Sequence, residues 1–398
     1  MLIFKQLILL SPVNLTYDYM RVNQHQYLNK AWKDYSLNPQ FNNQHCQLVL
    51  AFGSPKLITD PAIYNWLKER YPIANIVFSS TSGEIIDDNV YDETIAVTAV
   101  ELEQAHVSCT STHIKNHGNS FESGAHLMQQ LDKTGLKCVF IISDGTFVNG
   151  SELVAGFNAN NPNHVPVTGG LAGDADRFSS TFTGINAVPA QGNVIAIGFY
   201  GNGLTVDHGS CGGWDEFGPE RTITRADKNV LYEIDGKNAL DLYKEYLGNY
   251  VDELPGSALL FPLSIKVNGS DKNLVRTILS IDENEKTMTF AGNLPEGSKV
   301  RLMKANFDKL INASSTAAED ASGLKTAQLA LLVSCVGRKL VLNERTDEEL
   351  MAAKAVFGDK TSITGFYSYG ELAPFANAIG CRLHNQTMTL TTLSEHGK

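Results

Sequence analysis

The chain has 398 residues, of which 43% are apolar and 19% charged, and its formal net charge is −11. That length exceeds what one core usually serves, so two or three domains are expected, and the composition excludes a largely disordered chain. An acidic chain repels phosphate backbones and anionic bilayers, which argues against nucleic acid or a membrane surface as main partner. Leu2–Leu10 is apolar but holds Lys5 and Gln6. It is far shorter than the ~20 residues of a membrane span and lacks the basic start of a secretory signal. The six cysteines are scattered without a C-x-x-C pair, a usage that fits a reducing cytoplasm.

In chain order, Gln47–Phe52 (QLVLAF) predicts a strand ended by Gly53-Ser54-Pro55, and Asp60-Pro61 opens a helix through Ile63, Trp66 and Leu67. Asn75–Ser79 predicts the next strand, Ser82-Gly83-Glu84 a turn, and Thr94–Val100 a third strand. The same order returns twice. Cys138–Ser143 leads through Asp144-Gly145 to a helix near Glu152–Phe157, then to Val165–Thr168 and the run Gly169–Asp174 (GGLAGD). Strands at Thr181–Ile185 and Val194–Tyr200 complete that unit. In the third, Leu329–Ser334 precedes a helix over Asp347–Val356 and a strand over Ser362–Phe366. The turn Tyr369-Gly370-Glu371 and an alternating strand at Gln386–Leu393 follow.

Ser257–Ala305 has a different texture. Short apolar runs alternate with turns at Asn268-Gly269, Asp282–Glu285 and Pro295–Gly297, the pattern of an antiparallel meander. A helix over Ala239–Leu247 precedes it, and a lobe boundary is expected around Gly236–Asn238. The predicted fold class is α/β (mixed α+β): pseudo-repeated strand-helix-strand-strand units with mixed sheets, and an antiparallel meander inserted in the C-terminal half.

The acids of the three equivalent turns, Glu84, Asp174 and Glu371, stand at strand ends, where α/β proteins often place binding crevices. A carboxylate there can accept hydrogen bonds from an ammonium; the alternative is a tight turn whose acid caps neighbouring backbone. Asp144 offers the same pair of readings. Arg338, at the end of the third unit's first strand, could clamp a carboxylate bidentately or form a structural ion pair with Glu371 or another acid. Under strand alternation Tyr367 and Tyr369 share one face, as pocket wall or as core, while Phe366 reads as core.

Enzyme signatures are poor. Gly292–Lys299 (GNLPEGSK) imitates a phosphate loop without its Lys-Ser/Thr end or its strand-to-helix context. Gly209–Gly213 (GSCGG) has nucleophile-elbow spacing but leads into no helix. Cys381 and His384 are spaced like two metal ligands, too few for a site. No catalytic residue, metal or cofactor is expected.

Ser143-Asp144-Gly145, GGLAGD, Gly212-Gly213-Trp214 leading into Thr222–Val230, and Pro295-Glu296-Gly297 resemble the FIST family of F-box and intracellular signal transduction proteins. So do Cys335–Arg338 (CVGR), Gly365–Glu371 (GFYSYGE) and Leu383–Thr389 (LHNQTMT). The likeness runs from about Leu48 to Leu393 and implies an N-terminal extension over 1–29, a FIST N-terminal domain over 30–238, a FIST C-terminal domain over 239–393 and a tail over 394–398. It also implies a cytoplasmic sensory module that binds a small ligand such as an amino acid. Nothing beyond the two lobes reads as long enough for a signalling output domain, so the expectation is either a separate signalling protein as partner or a role other than conventional sensing. The expected ligand-binding residues are Asp144, Gly169, Gly170, Asp174, Arg338, Tyr367, Tyr369, Gly370 and Glu371. Arg338 would take the ligand carboxylate, Glu371 with Asp174 or Asp144 the ammonium, and the tyrosines would form the wall. The competing expectations are a hydrolase or transferase using Cys335 or Cys211, and an interaction scaffold without ligand.

Overall fold

The structure is a computed structural model and describes residues 19–254, 256–266, 273–323, 327–375 and 380–397. Leu2–Leu10 and the expected turn at Asn268-Gly269 lie outside the described residues.

The first unit contains β1 (Met20–Leu28), β2 (Ala31–Ser36), β3 (Leu48–Gly53), α1 (Pro55–Ile58), α2 (Pro61–Arg70) and β4 (Asn75–Ser80). It closes with β5 (Glu84–Ile86), β6 (Asn89–Tyr91) and β7 (Ile95–Leu102). The second runs β8 (His106–His113), α3 (Ser120–Gln130), β9 (Leu136–Ser143), α4 (Gly150–Ala159), β10 (Val167–Leu171), β11 (Thr183–Ile185) and β12 (Asn193–Tyr200). The third begins with β13 (Leu204–Cys211) and is interrupted by an inserted body. That body holds β14 (Asp215–Asp227), β15 (Val230–Ile234), β16 (Lys237–Asn238), α5 (Ala239–Leu247), β17 (Leu263–Lys266) and β18 (Asn273–Arg276). It ends with β19 (Ile278–Asp282), β20 (Thr287–Phe290) and β21 (Lys299–Lys304). The third unit resumes at α6 (Phe307–Asp320), β22 (Leu329–Cys335), α7 (Val336–Leu342), α8 (Thr346–Phe357) and β23 (Ser362–Ser368). The last strands are β24 (Gly370–Pro374), β25 (Cys381–His384) and β26 (Met388–Glu395).

Each unit builds a six-stranded mixed sheet around one parallel pair: β3 with β4, β9 with β10, β22 with β23. Each also gives strands away. β5 and β6 of the first unit extend the third unit's sheet through β23, β11 of the second pairs with β4 of the first, and β24–β25 of the third pairs with β10 of the second. The exchange closes a ring of three units.

Strand alternation explains how the ring packs. Leu48, Leu50 and Phe52, Cys138, Phe140 and Ile142, and Leu329, Leu331 and Val333 share one central core. The intervening residues point outward to separate cores under helices: Val49 with Leu67 of α2, Val139 with Leu153 of α4, Ala330 with Leu350 of α8. Sheets buried on both faces read as continuous apolar runs, which is why these strands were legible. The inserted body carries its own core, around Ile223, Leu240, Met288 and Phe290, inside a curled eight-stranded antiparallel sheet.

Several expectations need correction. Residues 20–28, expected in an extension, form β1 and pair along β7. The expected turns at Glu84 and Glu371 are strand starts, because both acids enter exchanged strands. Gly169 and Gly170 lie within β10, not in a loop. Gly169 has φ +134°, and a Cβ there would stand 2.0 Å from the Ile141 carbonyl oxygen, so a glycine is required where β10 presses on β9.

Candidate functional site

The equivalent acids bind their own surroundings first. Glu84 accepts from the Thr81 hydroxyl at 2.6 Å and from the backbone N–H and hydroxyl of Thr94 at 3.2 and 2.8 Å. Glu371 accepts from the Ser368 hydroxyl at 2.9 Å and from the same two groups of Thr387 at 3.2 and 2.8 Å. Both are buried, and desolvation outweighs the donors and pushes each carboxyl up to about 8. Asp174 accepts from Ser179 N–H (3.1 Å), Ser180 N–H (2.9 Å) and the Tyr369 hydroxyl, fixing the 174–180 loop. Asp144 accepts from Thr146 N–H (2.8 Å), Phe147 N–H (2.7 Å) and Gly192 N–H (2.9 Å), and so shapes the loop before α4.

Arg338 turns inward. Its Nε and Nη2 donate to Glu349 at 3.0 and 2.6 Å, and further donors reach the carbonyls of Gly212 and Leu310. Tyr367 and Ser334 donate to the same carboxylate at 2.7 and 3.0 Å. Burial pushes the Tyr367 hydroxyl well above its ordinary range, with Glu349 adding to the effect. Arg338, Glu349 and Tyr367 are all fully buried. The structural ion pair therefore replaces the expected carboxylate clamp, with Glu349 as partner in place of Glu371. The shared tyrosine face is also corrected: Tyr367 packs under α8, whereas Tyr369, after the chain leaves β23, stacks on Phe178 at 4.5 Å. Gly170 is occupied against Val333 and Gly370 against Leu383, both too crowded for a Cβ.

What the structure does bring together is the Asp144 loop, the Asp174 loop and Tyr369. With the inserted body they enclose a hollow of about 400 Å³, lined among others by Thr146, Phe147, Asn149, Phe178, Asn229 and Tyr369. It sits beyond the ends of β9 and β10, beside the first turn of α4, and among the described residues no charged side chain lines it. Asn149 caps α4 through Glu152 N–H at 3.1 Å and donates to Asn293 across the seam at 3.1 Å. A second hollow, about 550 Å³, lies along the same seam and includes Arg276, Asn293, Lys299 and Arg382. These residues come from separate segments, and only the 292–299 run carried a signal in the sequence, as an imperfect phosphate loop.

Burial pushes the Cys335 thiol up, with Glu371 adding to the effect, the opposite of what a nucleophile needs. Among the described residues no group of three or more His, Cys, Asp or Glu side chains could hold a metal, and no helix is long and apolar enough to cross a membrane.

The FIST N domain matches residues 47–237 and the FIST C domain residues 239–374. The chain belongs to the FIST family. FIST domains are generally described as sensory, small-ligand-binding domains of signal transduction. An uncharacterized protein of Methanocaldococcus jannaschii is 26% identical over 237 residues. That stretch covers 52% of this chain and 45% of the relative, so the chain spans about half of that protein's length.

Proposed function

We propose that this FIST protein is a cytoplasmic receptor that takes an amino-acid-like zwitterion in the 400 Å³ hollow and signals through a separate protein. The observation that carries the reading is the convergence of Tyr369, Phe178 and Phe147 on one space, beside the start of α4. Aromatic faces attract an ammonium group, and a helix start favours a carboxylate. Asp144 and Asp174 act as positioning residues: their oxygens are engaged by loop donors, so they hold the walls and do not touch the ligand. Arg338, Tyr367 and Glu371 serve the fold behind the site. The inserted body forms one wall, so a ligand at the seam would tie it to the ring, and that coupling is the signal a partner could read.

The test is a thermal-shift panel of amino acids and related zwitterions on the full chain. A ligand specific for the native state raises the unfolding midpoint, by about 2.7 kcal/mol of stability at a hundredfold excess over Kd. Phe147→Ala, an exposed wall residue, should weaken the response without unfolding the protein. A flat response across the panel would favour the scaffold reading.

A further inference from the structure

Arg276 ends β18 and is 5% exposed, yet it has no carboxylate partner among the described residues. Its Nε donates to the Asn293 carbonyl at 3.1 Å, and its Nη1 to the carbonyls of Val275 and Leu383, both at 3.1 Å. No acceptor for Nη2 is found among the described residues. A buried guanidinium normally has its charge met by an acid, since leaving it unmet is costly. Burial, with Arg382 close by, holds its pKa down to about 10. The neighbourhood repels the charge it contains.

That neighbourhood is the 550 Å³ hollow. Among the described residues, Arg276, Lys266, Lys299 and Arg382 line it, against one carboxylate, Glu296, which accepts the Ala226 N–H at 2.9 Å. Arg382 and Lys299 are exposed at its rim. Room for the guanidinium is built in: a Cβ on Gly292 would stand 2.9 Å from Arg276 Nε and 3.0 Å from its central carbon.

We propose that this hollow is an anion site, in which Arg276 and Arg382 together hold the carboxylate or phosphoryl group of a small molecule. Arg276 is the fixed donor, oriented by three carbonyls; Arg382 and Lys299 draw the anion in and close over it. Arginine suits both groups because its planar fork donates bidentately to either. The site is separate from the zwitterion hollow and does not rest on that reading, because its lining recognises negative charge alone.

The experiment is thermal unfolding of the full chain at constant ionic strength, with chloride replaced stepwise by inorganic phosphate or by succinate. The expected result is a saturable rise of the midpoint with one or both anions; the more effective one identifies phosphoryl or carboxylate chemistry. Arg382→Gln should weaken the apparent affinity about tenfold, the loss of one charge-assisted contact. Arg276→Met should abolish the saturable response. Should Arg276→Met fail to fold, the pair Arg382→Gln with Lys299→Gln, both at exposed positions, carries the same expectation. No shift with either anion, or an equal and unsaturable shift in wild type and variants, would overturn the proposal and leave Arg276 as a strut between three carbonyls. A zwitterion response that survives these substitutions would leave the other hollow's reading intact.

Discussion

Two arginines are almost wholly removed from water in this protein, and their surroundings differ in kind. Arg338 lies beneath the third unit's sheet, where it, Tyr367 and Ser334 all donate to the Glu349 carboxylate. Arg276 lies at the seam between ring and inserted body, held among the described residues by carbonyls alone and facing a hollow rich in cations. The residue type is the same, and so is the burial. The difference lies in whether the fold supplies the opposite charge. Where it does, the arginine is a fastening; where it leaves a space instead, the charge is available to something that arrives.

The largest effect that can break this comparison is at Arg338. Glu349→Ala should destabilise the protein by about 3–5 kcal/mol, because it strands a buried guanidinium, and chemical denaturation will read it. Replacing both partners, Arg338→Met with Glu349→Leu, should recover most of that loss. Arg276→Met should cost less, about 1–3 kcal/mol, since it strands no charge and water in the hollow can reach the carbonyls it leaves. Equal losses at the two sites would erase the distinction.

A pH series sharpens the picture of the buried carboxyls. Glu84 and Glu371 have folded pKa values of about 8, above the ordinary glutamate range, so the folded state binds more protons than the unfolded one between these limits. Their contribution to stability is therefore full in mild acid and lost as pH rises through about 8. Glu371→Gln should flatten that decline in the unfolding midpoint; an unchanged slope would mean that its three donors keep the carboxylate ionised. The smallest expected effect is Gly292→Ala, which must displace Arg276 by tenths of an ångström and should lower the anion response more than the stability.

Much of the ring was legible in the sequence, for a physical reason. Strands such as Leu48–Gly53 and Leu329–Cys335 are buried on both faces and stand out as apolar runs between helix caps and glycines. The repeated Gly-acid pairs marked where each unit hands a strand to its neighbour. They could not reveal that the handover occurs, because a strand entering another sheet has the same local pattern as a turn within its own. β1 was missed because Asn23, Gln24, His25 and Gln26 are polar yet buried; Gln24, for example, bonds the Ile363 carbonyl across the ring. The site was read less well. Arg338 has a setting, a strand end in a family motif, that suggests function, but its acid lies on a helix eleven residues on. Arg276 sits in a meander without a motif, and its significance depends on having no acid partner among the described residues, which only three-dimensional proximity can define.

What most needs testing is that the 550 Å³ hollow around Arg276, at the seam between ring and inserted body, receives a small anion. Native mass spectrometry of freshly purified wild type and Arg276→Met, side by side, tests it most directly. An anionic small-molecule adduct should accompany the wild-type chain and be lost or depleted in the variant. Bare chain mass in both, or an adduct that both retain equally, would contradict it.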